Sequence, residues 1–94
     1  MPYILVRHKV KNYGKWKPLF DEHGSTRKQS GSKGGRLYRN ADHPNEIVMI
    51  FEWDSHANAK KFAKSADLKE VMKKAGVSDK PDIFFLEEVE ALTQ

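Results

Sequence analysis

Two histidines and an arginine are the side chains of this 94-residue sequence best suited to act on a bound small molecule. His8 lies in a strand-like segment, where its imidazole could serve as a general base because imidazoles exchange protons near neutral pH. His23 and Arg27 are four positions apart, so a helix would place them on one face, where they could bind an anionic or phenolic group. The structural alternatives are a packed strand histidine and a helix face that reaches water.

Aromatic residues could form the walls around such a group. Trp16 and Phe20 precede the histidine and arginine at helical spacing. Trp53 closes an apolar strand and could be the wall of a pocket for a flat ligand or a large core side chain. Tyr38 could donate a hydrogen bond to a substrate oxygen, although a tyrosine in a hairpin is also ordinary sheet packing. The predicted substrate-binding residues are therefore Trp16, Phe20, His23, Arg27, Tyr38 and Trp53, with His8 as the base.

The sequence carries no pattern of a metal site. It contains no cysteine, and its four histidines, at positions 8, 23, 43 and 56, show no paired ligand spacing. The glycine-rich segment 24–35 lacks the order of a phosphate-binding loop and follows a predicted helix instead of preceding one. We therefore predict that the protein binds no metal.

The net charge of +4 is unevenly distributed along the chain. The first 39 residues carry ten Lys and Arg against two acidic side chains, whereas the last 16 carry five acidic side chains and one lysine. The two ends can be neighbours in a sheet, and we expect Arg7 and Lys9 to lie near Glu87 and Glu88. Much of the positive charge would then be neutralised internally.

The same distribution argues against nucleic acid and membrane partners. No basic stripe alternates with exposed aromatic residues, so we predict no nucleic acid binding. The sequence shows no apolar run of membrane-spanning length and no signal-peptide pattern. The expectation is a cytoplasmic protein without a membrane partner.

The hydrophobic pattern predicts four strands and three helical segments. Asn12 can cap the first helix, which Pro18 should kink, and Asp54 or Ser55 can cap the second. Asp67 can open the third as part of a capping box. In chain order, the predicted strands cover residues 3–10, 36–40, 46–53 and 83–89, and the helical segments cover about 13–30, 56–66 and 68–75. Gly31 ends the first helical segment, and residues 32–35 form a flexible link.

Two strands are apolar on both faces, at residues 47–51 and 83–86. A strand with one face in water should alternate, so both faces of this sheet are predicted to be covered. The βαββαβ order with right-handed crossovers predicts an α+β, ferredoxin-like antiparallel sheet with the helices on one face, in a single domain over residues 1–94. A second copy of the chain is the predicted cover for the other face, which makes the protein a homodimer.

The segment Phe51-Glu52-Trp53-Asp54-Ser55, followed by an alanine-rich helix and by Ser65, Leu68 and Lys69, resembles the dimeric α+β barrel superfamily. Within that superfamily it is most similar to the antibiotic-biosynthesis monooxygenase-like domains. The resemblance implies homodimers that pair sheet to sheet, with a pocket between sheet and helices in each subunit. It also implies that Trp53 lines this pocket and that His8 lies near a polar pocket position of the first strand.

The resemblance implies a small-molecule-binding domain, with two functions left open. One is a cofactor-independent monooxygenase that acts on an aromatic or polycyclic substrate. The alternative is a non-catalytic ligand-binding or stress-related barrel. Haem-degrading relatives carry an iron-binding histidine in the second helical segment, and here no histidine follows His56. We therefore predict no haem or other cofactor.

Overall fold

The computed structural model describes residues 2–78 and 80–93 and shows one four-stranded antiparallel sheet with helices between its strands. The strand order in the sheet is β2-β3-β1-β4. This is the predicted α+β, ferredoxin-like fold. The elements are β1 Pro2–Lys9, α1 Tyr13–Glu22, α2 Gly24–Ser30, β2 Ser32–Arg39, β3 Glu46–Trp53, α3 His56–Ala63, α4 Ala66–Lys74 and β4 Asp82–Glu87.

The core lies between the sheet and the helices. Alternate residues of the central strands point into it, so Ile4, Ile47, Met49 and Trp53 are all buried. The residues between them, such as Val48, lie on the opposite face and are half-buried. The doubly apolar composition of β3 therefore corresponds to two apolar faces, of which the helices cover one.

The predicted first helix is two helices that meet at His23. Asn12 caps α1 as predicted, because its Oδ1 accepts a hydrogen bond from the Lys15 amide at 3.2 Å. Pro18 lies inside α1, and the helix continues past it to its end at Glu22. Gly24 begins α2, and a glycine inside a helix costs about 1 kcal/mol relative to alanine. The prediction of one helix over 13–30 was wrong, since two helices cover this range and meet at His23, next to this weak point.

The second strand begins earlier than predicted, at Ser32, so the segment predicted as a flexible link is largely strand. A bulge between Ser32 and Gly35 lets this glycine-rich segment join β3. Gly34 has a φ of +100°, and a Cβ at Gly35 would collide with the Ile50 carbonyl oxygen. Glycine is needed here because two backbones approach closely.

Serines cap the last two helices. Ser55 accepts from the amide of Asn58 at 3.1 Å, as one of the two predicted caps of α3. Ser65, and not the predicted Asp67, caps α4 by accepting from the Leu68 amide at 3.2 Å. Asp67 therefore lies in the first turn of α4, where its carboxylate is available for another contact.

Arg7 on β1 is neutralised by acidic residues of both neighbouring strands. Its guanidinium contacts Asp82 at 3.0 Å and Glu46 at 3.2 Å. The predicted partners Glu87 and Glu88 were wrong, because β4 runs antiparallel to β1 and its end lies beside the start of β1. Glu88 instead raises the pKa of the Tyr3 phenol, with smaller contributions from burial and Glu52.

Glu46 should make the stability of the fold depend on pH. The Asn40 amide and the Arg7 guanidinium hydrogen-bond its carboxylate and lower its pKa below the ordinary 4.5. A carboxyl group with a lowered pKa in the folded state stabilises it above pH 4.5, and this contribution is lost as the pH falls through the folded-state pKa. We expect Glu46→Gln to lower the urea midpoint at pH 7 and to have a smaller effect at pH 3.

Glu70→Gln is the matched control for this measurement, because Glu70 is exposed on α4. It should leave the urea midpoint nearly unchanged at both values of pH. Equal losses of stability for Glu46→Gln at pH 7 and pH 3 would contradict the electrostatic explanation.

Candidate functional site

A cavity of about 80 Å³ lies between the sheet and the helices. Its wall is almost entirely apolar, which is typical of sites for small organic ligands. Six of the seven predicted site residues line it, namely His8, Trp16, Phe20, His23, Arg27 and Trp53. The structure thus brings together side chains from β1, β3 and the α1–α2 segment.

Tyr38 is the predicted site residue that does not line this cavity. Its Cα partner is Val48, on the sheet face opposite the helices, and its side chain is 48% exposed. Leu37, its neighbour in sequence, packs against the core instead. The structure therefore does not bring Tyr38 to the other six residues, and we no longer assign it to the cavity.

His8 occupies the deep end of the cavity on β1. Its side chain is buried, and its ring meets the Trp16 ring edge to face, with centroids 5.6 Å apart and planes at 70°. Because neighbouring strand residues alternate between faces, His8 points to the helices while Arg7 points to the open face. An imidazole at this position can exchange a proton with a ligand bound among the aromatic rings.

Arg27 is held over the ring of Phe20 at the other end. Its guanidinium carbon lies 3.8 Å from the Phe20 centroid, and its Nη1 donates to the Phe20 carbonyl at 2.9 Å. Phe20 itself stacks on Trp16, with ring centroids 4.8 Å apart. Burial lowers the pKa of Arg27 and nearby Asp21 opposes this, but a guanidinium remains charged at neutral pH. The cavity therefore ends in a fixed positive charge.

His23 connects the cavity to solvent through Asp67. Its side chain is 9% exposed, and its Nε2 lies 3.1 Å from Oδ2 of Asp67, whose side chain is 63% exposed. In the neutral tautomer that donates from Nε2, the Nδ1 atom carries the lone pair that can accept a proton. The carboxylate would then stabilise the resulting imidazolium.

Trp53 presents an unsatisfied donor. It is 1% exposed, and its Nε1 has no hydrogen-bond partner among the described residues. Leaving a buried donor unpaired costs about 1–3 kcal/mol. A ligand oxygen that accepted from this indole would recover that free energy.

Sequence reasoning missed two residues of this site. Phe62 was assigned to the packing face of its helix, but its ring lies 5.2 Å from Trp53 and 5.8 Å from His23, measured between centroids. Asp67 was assigned to a helix cap. The apolar spacing of α3 indicated that Phe62 is buried, whereas no local signal indicated that Asp67 meets a histidine 44 positions earlier.

No metal or membrane feature was found in the described part of the chain. Residues 2–78 and 80–93 contain no group of three or more His, Cys, Asp or Glu side chains arranged to hold a metal ion. Over the same residues, none of the helices has the length and apolar character needed to cross a membrane.

No family model matches the chain, and no curated protein matches its sequence. Solved structures do match it. A candidate antibiotic biosynthesis monooxygenase from Bordetella bronchiseptica has a TM-score of 0.78 at 17% identity, over 95% of this chain and 97% of that one. A second candidate of the same kind, from Caulobacter crescentus, has a TM-score of 0.74 at 16% identity, over 95% and 90% of the two chains.

A third similar structure is a mutant of SnoaB, a cofactor-independent oxygenase from Streptomyces nogalater. Its TM-score is 0.75 at 14% identity, over 99% of this chain and 97% of that one. These likenesses confirm that the chain has the antibiotic-biosynthesis monooxygenase-like fold that the sequence resemblance implied.

Proposed function

We propose that this domain, whose fold is that of antibiotic biosynthesis monooxygenase-like proteins, binds an aromatic molecule in the cavity and oxidises it with molecular oxygen without a cofactor. The observation that carries this proposal is the convergence of polar groups in an apolar, aromatic wall. His8, His23 and Trp53 all line one cavity, and the Trp53 indole nitrogen is buried without a partner among the described residues. Its similarity to SnoaB, a cofactor-independent oxygenase, supports the same reaction class.

The size of the cavity favours a substrate of one or two rings. Its volume of about 80 Å³ is small beside the roughly 300–1,000 Å³ of typical ligand pockets. Met49 and Met72 line it, and methionine side chains rearrange easily to enlarge a site. A polycyclic substrate would require a larger rearrangement. The small volume also supports the second candidate function, a non-catalytic binder of a small aromatic ligand.

The proposed chemistry uses the substrate itself to activate oxygen. A base removes the proton of a phenol such as 1-naphthol, and the ring carbon opposite the resulting oxyanion bonds to O₂ to give a hydroperoxide. Loss of water then leaves a quinone, so that 1-naphthol and O₂ give 1,4-naphthoquinone and water. The protein contributes the base, the orientation of the ring and the exclusion of bulk water.

Two imidazoles can accept the proton. His8 is the base proposed from the sequence, and it lies in the cavity wall. The structure adds His23 and favours it, because the Asp67 carboxylate 3.1 Å away would stabilise the imidazolium. The exposed carboxylate also gives the proton a route out of the closed cavity.

The proposed function is tested by oxygen uptake and by product analysis. Purified protein is mixed with 1-naphthol in metal-free buffer, and oxygen consumption and quinone formation are followed together. We expect equal amounts of oxygen consumed and quinone formed, at a rate proportional to protein concentration. Saturable binding without oxygen uptake would favour the non-catalytic alternative, and absence of binding would contradict both functions.

Trp53→Phe should weaken binding of the phenol. The change removes the unpaired Nε1 donor and keeps an aromatic wall, so the lost hydrogen bond should raise the dissociation constant about tenfold, or ~1.4 kcal/mol. Fluorescence or calorimetric titration with 1-naphthol measures the effect. Trp16→Phe is the matched control, since Trp16 lines the same cavity and its nitrogen is not among the unsatisfied buried atoms.

The Trp16 variant measures the loss of packing that any Trp→Phe change causes. If both variants weaken binding equally, the Trp53 nitrogen does not donate to the ligand. The melting temperature of each free variant shows whether the fold is preserved.

A further inference from the structure

A second groove lies outside the cavity, between α2 and the glycine-rich start of β2, with a volume of about 410 Å³. The two spaces share part of their walls, since Phe20, Arg27, Met49 and Phe51 line both. A ligand that reached between these four side chains would occupy the cavity and the groove together. The groove is therefore the nearest open space for any part of a ligand that the small cavity does not hold.

The groove is positively charged. Arg27, Lys28, Lys33 and Arg36 line it, and no acidic residue is among its described lining residues. None of these four cations takes part in the ion pairs found among residues 2–78 and 80–93. Asp21, which acts on Arg27, is itself bound to Lys17 at 2.6 Å. Positive charge without local compensation favours an anionic partner.

Arg27 lies between the apolar cavity and the positively charged groove, because it lines both. The Phe20 ring packs against the Arg27 guanidinium, and the Phe20 carbonyl oxygen accepts a hydrogen bond from Nη1. The guanidinium carbon lies 5.7 Å from the centroid of the Phe51 ring. The remaining N–H groups of the fork have no hydrogen-bond partner among the described residues. A guanidinium held in one plane can bind a carboxylate through two parallel hydrogen bonds. Its partial burial makes an anionic partner more favourable, as the lowered pKa of Arg27 also indicates.

We infer that the ligand of this domain is an aromatic carboxylate, with its ring in the cavity and its carboxylate bound by Arg27 at the groove. This inference rests on the proposed function, because it assumes that the cavity holds an aromatic ring. Lys28 and Lys33 supply additional positive potential. The Trp53 nitrogen, also in the cavity wall, is available for a second oxygen on the ring.

A matched pair of ligands separates the contribution of the aromatic ring to binding from that of the negative charge. 2-Naphthoate and 2-naphthalenemethanol share one ring system and differ in whether the attached group is anionic or neutral. We expect the wild-type protein to bind the carboxylate at least about tenfold more tightly than the alcohol at low salt. This preference should shrink between 20 and 300 mM NaCl, because mobile ions screen a partly exposed charge.

Arg27→Gln should reduce the preference for the carboxylate, taken as the ratio of the two affinities, to less than about threefold, because any loss of packing weakens the binding of both ligands alike. Lys69→Gln is the control, because it removes the same charge from an exposed position on α4 that lines neither space. It should keep the tenfold preference. Arg27→Lys should give an intermediate preference, since it retains the charge and loses the planar fork.

The outcomes distinguish the carboxylate inference from the proposed function on which it rests. If the wild type binds both ligands equally, or if Arg27→Gln keeps the preference, the carboxylate site is wrong and the aromatic cavity stands. If neither ligand binds at millimolar concentration, the aromatic cavity is wrong and the inference fails with it. Inorganic phosphate that competes with naphthoate but not with the alcohol would show a general anion site, and would overturn the assignment to a carboxylate.

Discussion

Phe84→Asp is expected to abolish the homodimer that we predict through the open sheet face and to leave a monomer. Phe84 lies on β4 opposite Leu5, which also faces Ile50 on β3, so the three form a row across the sheet face that no helix covers. Phe84 is 54% exposed in the single chain. A second copy of the chain covering this face would bury the new carboxylate without a partner, which costs several kcal/mol.

The open face has the composition of an interface. Besides that row, the open face carries Tyr3, Val48 and Leu86. The charged residues Glu52 and Arg7 pair with Tyr3 and Val48 in the sheet. Monomeric proteins rarely expose a contiguous apolar patch of this kind. A symmetric dimer brings two copies of each substitution into the interface. The dissociation constant should therefore rise by at least about a hundredfold for Phe84→Asp.

Light scattering coupled to size-exclusion chromatography measures the change. The wild type should have the mass of a dimer at micromolar concentration, and Phe84→Asp should have the mass of a monomer with an unchanged helical and strand signal in circular dichroism. Leu92→Asp is the control, because Leu92 is 75% exposed beyond the last strand and should leave the dimer intact. A wild-type monomer at micromolar concentration would contradict the predicted homodimer.

The fold could be predicted because its strongest sequence signals are local. The strand over 46–53 was predicted with the bounds that the structure shows, since a long apolar run with clear turns on both sides leaves little choice of register. The glycine-rich start of β2 was missed because glycine signals a loop in the sequence and a close backbone approach in the structure. The partners of Arg7 were wrong because they depend on the register between β1 and β4, which places Arg7 opposite Asp82 and which no single segment encodes.

The site could be predicted in part for the same reason. Helical spacing grouped Trp16, Phe20, His23 and Arg27. All four line the cavity although two helices meet at His23, because His23 itself keeps right-handed helical backbone angles. Tyr38 lies on the other sheet face from the cavity because side chains alternate along a strand, and its neighbour Leu37 is the one that faces the core. The contact between His23 and Asp67 joins two distant helices, so only the folded chain reveals it.

The largest effect on catalysis is expected from His23→Gln. If this imidazole takes the proton from the phenol, its loss should lower kcat for quinone formation by about 10²–10⁴-fold. KM for 1-naphthol should change by less than about threefold, because a base acts mainly in the transition state. His56→Gln is the control. That histidine binds the Leu86 carbonyl at 2.9 Å and does not line the cavity.

The variants Asp67→Asn and His8→Gln test which side chains carry the proton of the phenol out of the cavity. We propose Asp67 as a positioning residue for the His23 imidazole. Asp67→Asn should lower kcat about tenfold while KM stays near its wild-type value. The neutral amide still holds the imidazole but no longer stabilises its positive charge. Asp21→Asn, which removes an exposed carboxylate bound to Lys17, should have little effect on kcat.

A loss of 10²-fold or more in His8→Gln, together with nearly normal turnover in His23→Gln, would assign the base to His8 and leave the His23–Asp67 pair a role in packing. Equal and large losses in both histidine variants, with KM unchanged, would mean that the proton passes through both imidazoles before it reaches the exposed carboxylate.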